Sequence, residues 1–459
     1  MAQNQTSDAF WKAYSDAIRK QITNNAPLSD NQLVYIAPQR MRGILTGDNV
    51  PAEVTNMGIY DFANGTLRDD TPIYLGGGSG SYIDTLQSYL SYVDLGVNPD
   101  KGLYNAYTAA VKMSAAYQKI FADEMSKALD QYSKFKGGYD DLDAWAAEYR
   151  PGYLNAKNDM SAALGKEMNL SQQVNGPKAG PLNTQTLNII NMAKAVQGKP
   201  GWNMPVTLSD VALSPSDSLL AAKGQKIDFP KFDQFWRPQY GIQGGFNDQV
   251  QEWSDQMSNN KLEPIRVQLD LKSGVTKDWS ERGFTSVGGD ASWSNGWFSA
   301  SGDYSQKDEF EKLGADANMD DFSITLLIYG LTTFSVKTGQ WDIPDIVNTY
   351  PKLRKDAPKE ALTIIQPKLL AMSYSVGMEV KFSSKISHSF SEHFKNVKSG
   401  GASLSLFGFS IGGKASSEKE TTNKDASFDE STGTLTIPAP NNGYSSILAV
   451  VGEKQVAAQ

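Results

Sequence analysis

Between Met372 and Phe394 apolar and polar residues alternate almost without a break, and few folds accept that pattern. The even positions hold Met372, Tyr374, Val376, Met378, Val380, Phe382, Ile386, His388, Phe390 and Phe394. The odd positions hold Ser373, Ser375, Glu379, Lys381, Ser383, Lys385, Ser387, Ser389, Ser391 and Lys395; only Ser384 and Glu392 spoil the apolar face. A period of two marks a strand with one buried face. Strands usually run about 3–10 residues. This one would reach on the order of 75 Å at ~3.3 Å per residue. A chain with such a stretch is expected to build a sheet around at least one very long strand.

Two Ser/Gly-rich segments flank it. In Thr285–Gln306 the pair Asn295-Gly296 is a strong two-residue turn signal between alternating residues. That turn sets Trp293 opposite Phe298, Ala291 opposite Ala300, Gly289 opposite Gly302 and Val287 opposite Tyr304, with serines and aspartates on the other face. In Gly400–Ser417 a turn at Phe407-Gly408 sets Leu406 opposite Phe409, Leu404 opposite Ile411 and Ala402 opposite Gly413. Ser405 then faces Ser410, and Ser403 faces Gly412. Both segments open on Gly-Gly, pass through an aromatic beside a glycine at the turn and return through Ser and Gly, as an internal pseudo-repeat does.

The remainder divides at about residue 200. Before it, helical periodicity dominates: Asp8–Ile22, Tyr82–Leu95, Leu103–Phe135, Leu142–Tyr149 and Tyr153–Met168. Leu103–Phe135 and the segments after Gly137-Gly138 predict a long antiparallel helical hairpin, its first arm on the order of 50 Å at ~1.5 Å per residue. Residues 28–80 read as irregular, and Gln172–Pro181 and Gly198–Pro205 as connectors. After residue 200, strands are expected at Ile265–Leu271, Phe322–Val336, Thr434–Ile437 and Ile447–Val451, with a turn at Trp341–Pro344. The fold class is therefore α+β. A mainly helical domain, 1–200, precedes a mainly antiparallel β domain, 201–459, that carries the hairpins 285–306 and 400–417.

Composition narrows the function. The chain has 459 residues, a net charge of −8 and no cysteine. An acidic balance argues against nucleic-acid partners, which select basic patches. The lack of cysteine excludes disulfides and thiolate chemistry. The first residues have neither a basic nor an apolar leader segment, and no apolar run reaches the roughly 20 residues of a membrane-crossing helix. A protein made soluble, cytoplasmic or released by a non-classical route, is the expectation. The sequons at Asn4, Asn64 and Asn169 carry little weight without a leader.

No motif for catalysis holds up. Gly76–Gly80 lacks the Lys-Ser/Thr of a phosphate loop. Asp316, Asn318 and Asp320 copy the start of a calcium loop, yet Asp321 stands where glycine is needed and Leu327 where a bidentate Glu belongs. His388 and His393 are five apart and poorly placed to chelate; His388, on the apolar face, reads as a core histidine, and Glu392 wants a Lys or Arg. The paired aspartates 69–70, 140–141 and 320–321 read as loop or helix-start acids, and Phe235–Tyr240 as a packed junction. No enzyme, cofactor or metal is expected.

What is left is the hairpins. Each arm of the first has the ~9–11 residues that a membrane strand needs, with lipid and lumen faces alternating. In general terms the chain is similar to β-pore-forming proteins, toxins among them, in which a soluble monomer becomes a homo-oligomeric ring. The residues expected to meet membrane or neighbouring subunits are Val287, Ala291, Trp293, Trp297, Phe298, Ala300, Tyr304, Ala402, Leu404, Leu406, Phe407, Phe409 and Ile411. Gly and Ala fill half of the would-be lipid face. The same hairpins therefore also suit a soluble ring, tube or lattice joined through strand edges.

Overall fold

The computed structural model describes residues 2–47, 50–74, 80–96, 100–135, 137–139, 141–193, 198–207, 225, 234–242, 244–272, 279–284, 298–301, 319–400, 403–406, 409–411, 425–441 and 443–458. Its first half holds α1 (Ala2–Thr23), β1 (Gln32–Arg42), α2 (Ala52–Ala63), α3 (Tyr82–Tyr92), α4 (Lys101–Lys134), α5 (Leu142–Tyr149), α6 (Pro151–Asn175) and α7 (Ala179–Ala193). Then come β2 (Asn203–Thr207), β3 (Gln234–Pro238), β4 (Tyr240–Ile242), α8 (Phe246–Ser258), β5 (Pro264–Gln268), β6 (Phe298–Ser301) and β7 (Phe322–Thr338). The last part holds α9 (Ile346–Thr349), β8 (Thr363–Phe382), α10 (Ser384–Gly400), β9 (Ser403–Leu406), β10 (Phe409–Ile411), β11 (Ser427–Asp429), β12 (Thr434–Ile437) and β13 (Ser446–Val456). The α+β class read from the sequence is the class observed.

The long antiparallel pair β7–β8, running from Phe322↔Phe382 to Ser335↔Leu369, is the spine. The free side of β8 is shared in tandem by β13, along residues 363–373, and β12, along 378–381. The free side of β7 is shared by β4 and β5. The first half of the chain adds to this sheet: β1 pairs with β13. Both faces of β8 are covered, which is why Ser373 and Ser375 are buried beside Tyr374 and Val376. Tyr374 Oη donates to Asn441 Oδ1 at 2.6 Å, and Ser375 Oγ to the Pro440 carbonyl at 2.6 Å. The buried hydroxyls thus staple β8 to the segment between β12 and β13.

The helical hairpin forms as its periodicity predicts. The Asp100 carboxylate accepts from the Gly102 and Leu103 amides at 2.8 and 3.0 Å and starts α4. Gly137 and Gly138, both at positive φ, end the turn beyond it. Tyr107, Ala110, Ser114, Phe121, Met125 and Ala128 face inward. Phe121, Met125, Trp145, Tyr153 and Met160 form a core distinct from the one around the sheet.

Four expectations change. Residues 28–80 are not irregular throughout, because Leu33–Ala37 form an edge strand and Val54, Ile59 and Phe62 seat α2. Neither expected connector is one throughout: Gln172–Pro181 continues α6 and begins α7, and Gly198–Pro205 runs into β2 at Asn203. The strand expected over Ile265–Leu271 ends at Gln268, and its Ile265 is exposed while Val267 is buried. The longest strand is 20 residues, but it is displaced toward the N-terminus: it starts at Thr363 and stops at Phe382, and the chain continues as α10. Ile386, Phe390 and Phe394 explain the last change. Residues four apart satisfy a period of two and also lie on one face of a helix. In α10 all three are buried, whereas the His388 side chain is 85% exposed and lies 3.8 Å from the Glu392 carboxylate. His388 is thus not a core histidine, and Glu392 is on a wet face beside it. His393 is the buried one.

Gly377 sets the exit of β12 from the spine. A Cβ there would lie 2.8 Å from the Ile437 carbonyl oxygen and 2.9 Å from the Ala439 amide. Gly377→Val should therefore push β12 away from β8 and cost about 1–3 kcal/mol, as overpacking does. The expected readout is a lower urea midpoint with an unchanged slope.

Candidate functional site: the hairpin strands and their register

The described parts of the two hairpins meet in one three-stranded sheet of order β10-β9-β6. Within the second hairpin, Leu406 pairs with Phe409, Ser405 with Ser410 and Leu404 with Ile411, the register that a Phe407-Gly408 turn dictates. The first hairpin's return strand lies on the other edge of β9. Phe298 pairs with Leu406, Ser299 with Ser405, Ala300 with Leu404 and Ser301 with Ser403. Sequence pattern did not reveal that the hairpins pair with each other. In this register Phe298, Ala300, Leu404, Leu406, Phe409 and Ile411 hold positions of one parity across the three strands, and Ser299, Ser301, Ser403, Ser405 and Ser410 hold the other. Leu406 and Ile411 are fully buried and join the core around the main sheet. Val287, Ala291, Trp293, Trp297, Tyr304, Ala402 and Phe407 lie outside the described residues, as do the would-be phosphate loop from 75 to 79 and calcium-loop positions Asp316 and Asn318.

The registers of the small and large sheets coincide. Along β7–β8 the two residue numbers of every pair sum to 704, as for 322 with 382 and 335 with 369. Along β6–β9 they again sum to 704, as for 298 with 406 and 301 with 403. The segments between the two ladders, 302–321 and 383–402, are each 20 residues long. The same holds on the other edge: β8–β12 pairs sum to 815 (381 with 434), and so do β9–β10 pairs (406 with 409). The small sheet therefore continues both ladders of β8 without a slip of even one residue. A slip of one would turn every side chain to the opposite face.

The next rung on each edge of β8 is already made. The Ser383 amide donates to the Asp321 carbonyl at 2.7 Å, and the Phe382 amide to the Gly433 carbonyl at 2.9 Å. Beyond them the chain turns into α10. Ser383 Oγ donates to Asp321 Oδ1 at 3.0 Å, and its carbonyl accepts from the Ile386 and Ser387 amides at 3.1 and 2.9 Å. The helix is held by an aromatic stack in which Phe390 lies 4.3 Å from Phe382, 6.1 Å from Phe394 and 5.1 Å from Phe428 between ring centroids. Lys385 reaches Asp321 at 3.6 Å, and Lys395 pairs with Glu430. The bond from Lys395 holds the Glu430 carboxyl below the usual range.

Two half-buried carboxylates have raised pKa values. Glu167, which accepts from Ser114 Oγ between α4 and α6, is raised above the usual range by burial. Asp342, whose Oδ2 accepts from Tyr82 Oη at 3.0 Å, is raised for the same reason. They belong to different cores, so they do not form a working pair. A cavity of about 390 Å³ is lined by Gln268, Asp270, Lys272 and Ser323 with Leu269, Leu271 and Phe322. Among the described residues no group of three or more His, Asp or Glu is placed to hold a metal ion, and no helix is long and apolar enough to cross a membrane.

No family model, no curated protein and no solved structure matches this chain.

Glu167 yields a test with a definite sign. A carboxyl raised in the folded state favours folding fully below its unfolded pKa, and that contribution is lost as pH rises through its folded pKa. Glu167→Gln should raise the melting temperature at pH 7, and the gain should vanish below about pH 4. Urea or thermal melts across that range check it.

Proposed function

We propose that this chain is a non-enzymatic, oligomerising protein that opens a β-barrel pore in a membrane with its two hairpins. The observation that carries the reading is the common register. Two amphipathic strand pairs lie in phase with a 20-residue core strand, so the apolar side of β8 from Met372 on and the apolar side of β9 fall on one side of the ladder. A barrel wall needs that alternation, and a spanning strand takes ~9–11 residues of it. Lipid leaves no backbone group without a partner, so the sheet must close. A few strands per chain cannot close it; several copies can. Two residues of that face, Leu406 and Ile411, lie in the core around the main sheet. A net charge of −8 keeps copies apart before assembly.

One observation favours a second reading, assembly into a soluble ring, tube or lattice. β6 and β9 belong to different hairpins and already pair edge to edge. The same contact made between chains would build an array without lipid.

Liposome leakage separates the two. The unmodified chain should release entrapped dye. Leu404→Glu, on the apolar face, should slow release at least tenfold, while Ser405→Glu, on the opposite face of the same strand, should stay within threefold. Melting curves of both variants report that the soluble fold persists. Intact vesicles across lipid compositions, together with ordered particles in electron micrographs, would favour the second reading and overturn the first.

A further inference from the structure

We infer that α10 is the stored form of a β-strand, and that in the membrane-inserted assembly residues 383–402 become extended and join β8 to β9 in one continuous strand. The inference rests on the proposed pore function and names the element that moves. Three independent observations carry it.

The first is length. Equal 20-residue segments separate the β7–β8 and β6–β9 ladders, and the register is the same on both sides of the gap. If α10 were a permanent linker, nothing would tie its length to that of 302–321. The β8–β12 and β9–β10 ladders keep their own common register across the same helix.

The second is pattern. α10 satisfies a helix with Ile386, Phe390 and Phe394, all buried, but its sequence also satisfies a strand. As a strand it would set Ile386, Phe390 and Phe394 on the side of Leu404 and Leu406, with Ser384, His388, Glu392, Asn396 and Lys398 among them. Ser383, Lys385, Ser387, Ser389, Ser391 and Lys395 would take the side of Ser403 and Ser405. A helix under no second constraint has no reason to place serine at alternate positions.

The third is cross-strand chemistry. Extending the β7–β8 register sets Glu392 opposite Lys312, His393 opposite Glu311, His388 opposite Asp316, Lys395 opposite Glu309 and Phe394 opposite Phe310. No two like charges face each other across that ladder. Opposite charges and aromatic pairs are the stabilising choices at directly opposed positions. The first rungs, Ser383 to Asp321 and Phe382 to Gly433, are in place before any conversion.

The conversion has a measurable reach. From Lys381 to Leu406 a continuous strand extends roughly 80 Å at ~3.3 Å per residue, whereas the 17 residues of α10 advance only about 26 Å as a helix. Melting α10 therefore projects the hairpin tips far from the body. What holds it back is the Phe382–Phe390–Phe394–Phe428 stack, with the Lys395–Glu430 pair and the Lys385–Asp321 pair.

A reversible lock tests this. A Cβ on Gly433 would lie 3.3 Å from Ser387 Cβ, close to the spacing that a disulfide takes, and the chain has no other cysteine. In the Ser387→Cys/Gly433→Cys protein the oxidised form should release liposome dye at least tenfold more slowly than the reduced form, and dithiothreitol should restore the rate. Equal release by both forms would overturn the inference while leaving pore formation standing. Because Gly433 has positive φ (66°), a second measurement stands beside the first. Single nitroxide labels at residues 385–391 should show helical periodicity in solution and residue-by-residue alternation on leaking vesicles. Helical periodicity kept on leaking vesicles would overturn the inference too. An unmodified chain that releases no dye from any vesicle would instead overturn the pore function, and this inference with it.

Discussion

The backbone ladder between β7 and β8 is the constraint on which the rest of this structure depends. It fixes which side chains face which layer; β4, β5, β12 and β13 attach to one of its two members, and β1 and β11 attach through β13 and β12. Its reach does not stop at Phe322 and Phe382. The hairpin strands, which lie 20 residues further on, obey the same pairing rule. Backbone hydrogen bonding is generic, but register is not, because one residue of slippage exchanges the buried and solvated faces. A register kept across a helical interruption is information held by the sequence about an arrangement that the interruption does not need.

The opposing interactions are local and of moderate strength. Around α10 they are one aromatic stack, one cap at Ser383, an exposed Lys395–Glu430 pair and a pair between exposed Lys385 and buried Asp321. An exposed pair contributes little, and the Lys385 ammonium keeps its water, so the stack of Phe390 against Phe382, Phe394 and Phe428 carries most of the hold. Burial of those rings stabilises the helix by on the order of a few kcal/mol per side chain. A strand formed in its place would gain ladder bonds on two edges, and would do so only when neighbouring copies cover the apolar side. That dependence makes the extended form a property of the assembly, and the helical form a property of the lone chain.

Much of this fold was legible in the sequence, and the parts that were not have physical reasons. Helices α4 and α5 were readable because Tyr107 through Ala128 keep one inward stripe and Gly137-Gly138 breaks it. The second hairpin's register was readable because Phe407-Gly408 admits one pairing of Leu404, Leu406, Phe409 and Ile411. The first nine residues of β8 were missed: Ile364, Ile365, Leu370 and Ala371 are buried on two faces, so no period shows. Edge strand β1 was hidden for a similar reason, as Leu33–Ala37 is an uninterrupted apolar run. Helix α10 was read as strand because its phenylalanines are spaced by four. That misreading is informative: it exposed a strand pattern in a segment that the soluble structure holds as a helix. The pairing of β6 with β9 had no local signal at all, since it joins residues 102 to 108 apart in register with the spine.

The central claim is that β8, residues 383–402 and β9 become one strand. A spin-label distance between Lys381 and Lys395 tests it most directly. The account predicts a separation of about 20 Å in solution, where α10 is helical, lengthening to about 45 Å on vesicles that the protein has made leaky. An unchanged short distance on leaking vesicles would contradict it.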